Sequence, residues 1–153
     1  MPLRIENRQR ALKLDTPGVR RLVGLILGDQ GCAGSDLTVV FTRDAVMRGL
    51  NAAYRDVDQA TDVLAFAMRD MEPPGVGGDP DELERVLGDV VISVDRAAAQ
   101  AQRYGITPAR EIFKLVAHGV LHLLGHDHAT SEQRAKMRNL ENRYLRTLSK
   151  NTR

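Results

Sequence analysis

The chain has no tryptophan, and only three tyrosines and three phenylalanines among its 153 residues. Aliphatic side chains must therefore carry the packing, and extensive base stacking is disfavoured as a way of recognising nucleic acid. One cysteine, Cys32, leaves no internal disulfide and no second thiol for a metal pair. It lies among small residues, Gly31-Cys32-Ala33-Gly34, and is read as a bystander. No stretch approaches the roughly 18 apolar residues of a membrane span. The first residues, MPLRIENRQR, lack an apolar signal core, so a cytoplasmic location is expected. Net charge is also low, at +2. It is unevenly spread, because residues 131–153 hold seven Lys or Arg against Glu132 and Glu141, a local +5 that leaves the preceding residues at −3. Such a basic segment suits either a polyanionic partner or a solvated helix face.

The length and the 42% hydrophobic content fit one soluble globular domain over 1–153. Residues 3–7 and 11–14 read as short strands. Val19, Leu22, Val23, Ile26 and Leu27 recur at helical spacing after Thr16-Pro17-Gly18. The β-branched run 36–42 reads as a strand, 43–54 as a helix, and 62–67 and 86–92 as further strands. Between the last two, 69–84 combines prolines and paired glycines with six acids and reads as a mobile surface loop. Helices are expected at 94–104, 108–125 and 131–148. In the last of these, Met137, Leu140, Tyr144, Leu145 and Leu148 form a core-facing stripe. The order of elements predicts an α+β fold, a small mixed, mostly parallel sheet packed with helices.

All four histidines fall within residues 118–128, in the sequence HGVLHLLGHDH. His118 and His122 are four apart on an apolar helical segment, so one metal ion can reach both. Gly125 lets the backbone leave the helix, and His128 can then return to the same point. The pattern H-x-x-x-H-x-x-G-x-x-H has the spacing of the metzincin zinc site, which makes this a zincin-like metal helix. Three imidazoles with an open fourth position suit a catalytic zinc ion. His126 is the competing ligand, with less chain to fold back. Asp127 reads either as a partner for a ligand imidazole or as a turn acid. Where a zinc peptidase carries its catalytic glutamate, this chain has Gly119, which cannot act as a base. Glu111 shares the face of His118 but lies two turns away, as a charge-pairing or supporting group.

The cluster over 118–128 resembles the signature of the YbeY endoribonucleases. Two upstream stretches agree: Asn51-Ala-Ala-Tyr-Arg55 followed by Thr61-Asp62-Val63-Leu64-Ala65-Phe66, and Leu87-Gly88-Asp89-Val90-Val91-Ile92-Ser93. The match in order and length spans roughly 36–148, with Ala65 where the family often has Ser. The resemblance implies one zinc ion on His118, His122 and His128, with Arg55 as a functional arginine. It also implies a single-strand-specific endoribonuclease of 16S rRNA 3′-end maturation and ribosome quality control, with rRNA and the small ribosomal subunit as partners. Chemically, a guanidinium suits the charge that grows on phosphoryl oxygens, whereas by position alone Arg55 could pair with Asp56 or Asp58. Arg103, Arg110 and the basic residues of the last helix are expected to guide the RNA backbone. Two rival readings are a metallopeptidase, weakened by Gly119, and a non-catalytic ribosome assembly factor with a structural metal.

Overall fold

The computed structural model describes residues 3–68 and 86–151, and the loop expected at 69–84 lies outside them. The described elements are β1 Leu3–Asn7, α1 Thr16–Asp29, β2 Asp36–Thr42, α2 Asp44–Arg55, β3 Val63–Ala67, β4 Val86–Ser93, α3 Val94–Tyr104, α4 Pro108–Leu123 and α5 Ser131–Asn151. The strands form one sheet in the order β1-β2-β4-β3. The β1–β2 and β2–β4 pairs are parallel and β3–β4 is antiparallel, the mixed, mostly parallel sheet expected of this α+β chain. No helix among the described residues is long and apolar enough to cross a membrane.

Local chemistry sets the helix starts. The Asp15 carboxylate accepts from the Gly18 N–H at 3.0 Å, with Pro17 in the first turn of α1. Ser93 accepts from the Arg96 N–H at 3.2 Å and Thr107 from the Arg110 N–H at 3.1 Å, opening α3 and α4. The strand expected at 11–14 does not form. The Gln9 side chain instead holds both backbone groups of Leu12, donating to its carbonyl at 2.9 Å and accepting from its N–H at 2.8 Å. With those groups satisfied locally, no neighbouring strand is needed.

Alternation along the strands divides the core in two. Leu37, Val39 and Phe41 of β2 with Val90 and Ile92 of β4 enter the main core beneath α1 and α4. Val40, Leu64, Phe66 and Val91 point to the other face and pack with Met47 and Leu50 of α2. α4 touches β3, β4, α1, α3 and α5. It is buried on most of its circumference, as the aliphatic run of its second half requires. α5 closes over α1 and α4 through Met137, Tyr144 and Leu148, all buried.

α4 packs tightly on the sheet at Gly119. A Cβ built there would stand 2.5 Å from Val90 Cγ1, and Val90 is a fully buried, β-branched residue of the central sheet. Helix propensity favours alanine over glycine by about 1 kcal/mol, while overpacking a tight core costs about 1–3 kcal/mol. Gly119→Ala is therefore expected to lower stability by up to about 2 kcal/mol net. Urea unfolding measures it, and a raised midpoint would refute the close-packing account.

Candidate metal centre

α4 carries His118 and His122 one turn apart, and both line a cavity of about 320 Å³ together with His128, Arg55, Asn51 and Thr61. Clefts of about 530 and 440 Å³ lie elsewhere on the molecule. The smaller cavity holds the chemistry because imidazoles and a guanidinium meet in it. The ring centroids are 5.5 Å apart for His118 and His128 and 6.1 Å apart for His122 and His128, each pair tilted by 55°.

His128 reaches the cavity by a sharp turn. α4 ends at Leu123, two residues short of the expected 125, because the chain closes in a Schellman turn. The Gly125 N–H donates to His122 O at 3.0 Å and the His126 N–H to Leu121 O at 3.1 Å, with Gly125 at φ 97°. Asp127 Oδ1 then accepts the His128 backbone N–H at 2.7 Å, whereas the His128 ring nitrogen is 3.9 Å away. Asp127 thus serves the turn. A reciprocal cap between Thr130 and Gln133, at 3.1 and 3.0 Å, starts α5 immediately afterwards. Arg134 reaches back to the carbonyls of His128 and Ala129, each at 3.4 Å. His126 is engaged elsewhere. Its Nε2 lies 3.0 Å from Gln30 Oε1, and the Gln30 amide in turn donates to the Tyr144 hydroxyl at 2.8 Å. Glu111 is buried in α4, 3.6 Å from Lys114 Nζ, and does not line the cavity.

Three imidazoles are a donor chemistry that zinc accepts. A zinc–nitrogen bond of about 2.1 Å plus the ring radius puts neighbouring tetrahedral imidazole centroids about 5 Å apart. Among the described residues no group of three or more His, Cys, Asp or Glu side chains is placed to hold a metal ion as the side chains stand. The spacings of His118 and His122 from His128 exceed the tetrahedral value by about 0.5 and about 1.1 Å. His118 Nδ1 lies 2.8 Å from Glu141 Oε1 of α5, which leaves Nε2 for the cavity. That hydrogen bond, opposed by partial burial, raises the His118 pKa above its ordinary value. His122 moves the other way: burial lowers its pKa first, then the neighbouring charges of His118 and His128, with Arg55 adding a little and Asp127 opposing.

Arg55 closes α2, and Asp56 takes the left-handed conformation just beyond it. Its Nη2 donates to Ala65 O of edge strand β3 at 2.8 Å, and its Cζ lies 5.7 Å from the centre of the Phe66 ring. Ala65 contributes a carbonyl here, so the lack of a serine hydroxyl leaves this contact untouched. Asp58 is taken by Arg48, at 2.7 and 3.0 Å, and among the described residues no carboxylate pairs with Arg55.

The cavity thus gathers His118, His122, His128 and Arg55, and leaves His126, Asp127 and Glu111 in other roles. Sequence reasoning missed Glu141, counted there only as an acid of a basic segment. The available signal was its register, four residues after Met137 and three before Tyr144, on the buried face of α5. It also missed Asn51, which is buried and donates to Gln59 O at 2.9 Å at the cavity wall.

The family model described as endoribonuclease YbeY matches residues 4–149 of this chain. A protein of Pelotomaculum thermopropionicum named endoribonuclease YbeY is 42% identical over 153 residues, covering 97% of this chain and 98% of the relative. A protein of Heliobacterium modesticaldum with the same name is 49% identical over 115 residues, covering 73% of this chain and 69% of the relative. The solution structure of TM1509 from Thermotoga maritima aligns with a TM-score of 0.65 over 95% of this chain and 88% of that one. At 21% identity that likeness is one of fold.

In the metal-free chain, His118 is expected to titrate with a midpoint above 6.5 and His122 with one below it. Because protons compete with a metal for imidazole nitrogen, metal uptake should weaken on acidification first through His118, which holds its proton more strongly than an ordinary imidazole. Long-range ¹H–¹⁵N spectra of the imidazoles read both midpoints, and the reverse order would contradict this electrostatic account.

Proposed function

The chain belongs to the endoribonuclease YbeY family, and on that premise we propose that it is a zinc-dependent, single-strand-specific endoribonuclease of 16S rRNA 3′-end maturation and ribosome quality control. Its partners on this reading are ribosomal RNA and the small ribosomal subunit, which puts its work in the cytoplasm. The observation that carries the proposal is the meeting on one open cavity of three imidazoles and an arginine that, among the described residues, has no acid partner.

His118, His122 and His128 are the residues that would hold the metal. A zinc ion supplies Lewis acidity and water activation near neutral pH. Arg55 binds and orients the scissile phosphate. One of its nitrogens is spent on Ala65 O, so the remaining donors of the guanidinium fork are available for phosphoryl oxygens. As charge grows on those oxygens, a guanidinium already fixed in place stabilises it without reorganising. Asn51 braces the wall beside it through its bond to Gln59 O.

The peptidase alternative needs a general base beside the first histidine. The position is Gly119, and its packing against Val90 leaves no room for a glutamate. The assembly-factor alternative needs a metal that holds the fold together. Against it, α4 is anchored by buried aliphatic residues on most of its circumference. Lys136, Arg138, Arg146, Lys150, Arg103 and Arg110 are exposed and available to the RNA backbone. Arg143 is occupied by Asp29.

Purified protein incubated with single-stranded ribosomal RNA is expected to cleave it. Chelation should abolish cleavage while the far-ultraviolet dichroism of the fold persists, and zinc should restore it. His122→Ala should remove activity, and Arg55→Ala should lower it by about 10²- to 10³-fold, the range for losing one charge-stabilising donor. Equal cleavage by all variants would mean a contaminating nuclease and would sink the proposal. A cyclic phosphate on the cleaved ends would assign the attack to the ribose 2′-hydroxyl; a linear phosphate would assign it to water.

A further inference from the structure

The buried face of α5 contains one residue that packing does not explain. Met137, Tyr144 and Leu148 are 2–3% exposed and face α1 and α4. Glu141 sits in the same stripe, with its side chain 17% exposed. A carboxylate is expensive in such a place unless a partner compensates it. The helix has exposed positions on which an acid would be free of that penalty, and it carries Arg138 one turn earlier on the chain. Yet the ion pair that Glu141 makes is with an imidazole on another helix, His118, at 2.8 Å.

That bond uses Nδ1, and a carboxylate there holds the N–H, so the ring presents the Nε2 lone pair to the cavity. It also stops the ring from flipping. Neither other cavity histidine is held this way. Asp127 is 3.9 Å from the His128 ring nitrogen and spends its Oδ1 on a backbone N–H, and among the described residues no carboxylate bonds the His122 ring. From this asymmetry we propose that Glu141 is a positioning residue of the metal centre: across the α4–α5 interface it fixes the tautomer and orientation of His118, making that imidazole the anchoring ligand. The inference rests on the proposed metal-binding role of the three histidines. Carboxylates behind ligand imidazoles raise their basicity, and their loss commonly weakens metal affinity by about 10- to 100-fold.

A structural role and a positioning role predict opposite responses. Leucine suits the stripe between Met137 and Tyr144, and replacing a buried ion pair by apolar packing is often neutral or stabilising. Glu141→Leu is therefore expected to keep or raise the thermal midpoint of the metal-free chain, yet to weaken zinc binding about 10- to 100-fold. Glu141→Gln, which can still accept the Nδ1–H bond but lacks the charge, should weaken it less. Glu132→Gln, on the exposed first turn of the same helix, should leave it unchanged.

Zinc affinity is measured on the full chain by competition with a chromophoric chelator, and Co²⁺ absorption reports the ligand geometry. If the wild-type chain binds neither ion, the metal-centre reading fails and this inference falls with it. If the wild type binds and both Glu141 variants match it, the metal centre stands and the role of Glu141 is overturned. Should Glu141→Leu fail to fold, the isosteric Glu141→Gln decides, and unchanged affinity and an unchanged cobalt spectrum would overturn the proposal.

Discussion

The approach of Gly119 to Val90 is the contact on which the rest of the molecule turns. It allows α4 to lie directly on the central strand β4, its backbone at residue 119 resting on the Val90 side chain. A helix that close brings His118 and His122 to the level of edge strand β3, where Arg55 is tied to the Ala65 carbonyl. Any larger residue at 119 would lift the helix away from the strand that holds the arginine. The same contact decides the chemistry, because the space a peptidase's glutamate would occupy belongs to a valine side chain.

Charge is distributed unevenly around the cavity. His118 has a carboxylate behind it and holds its proton more strongly than an ordinary imidazole. Burial and the positive groups around His122 favour its neutral form, the form a metal ligand needs. Arg55 adds a positive charge that the described carboxylates leave unneutralised. A site with these properties attracts an anion and offers it a fixed guanidinium, which matches a phosphodiester better than a neutral amide.

What could be read from the sequence was mostly local. The i, i+4 spacing of His118 and His122 and the pivot at Gly125 are short-range features, and they appear where periodicity and helix-end rules put them. Element ends moved by one to three residues, α4 stopping at Leu123 because the Schellman turn closes there and α5 running to Asn151; the strand expected at 11–14 is absent because Gln9 satisfies Leu12. Tertiary pairings were not legible. Nothing local says that Asp58 pairs with Arg48 and leaves Arg55 for the cavity, or that His126 faces Gln30. Glu141 is intermediate, since its register on α5 was visible but its partner 23 residues away was not.

The third histidine raises a different problem, because it comes from a loop. Loop residues lose more freedom on being ordered than helical ones, and an unsupported ligand would weaken the site by that entropy. Here the segment 124–131 is held almost residue by residue: the Schellman bonds at its start, Asp127 on the His128 N–H, Arg134 on the next two carbonyls, and the Thr130–Gln133 cap at its end. His126 adds a tether to α1 through Gln30, and Tyr144 carries that link on to α5. The turn is therefore braced from the end of α1 and from α5. The dense bonding around one short loop follows from the same requirement as the close helix–sheet contact: ordering imposed by the fold is ordering that ligand binding does not have to supply.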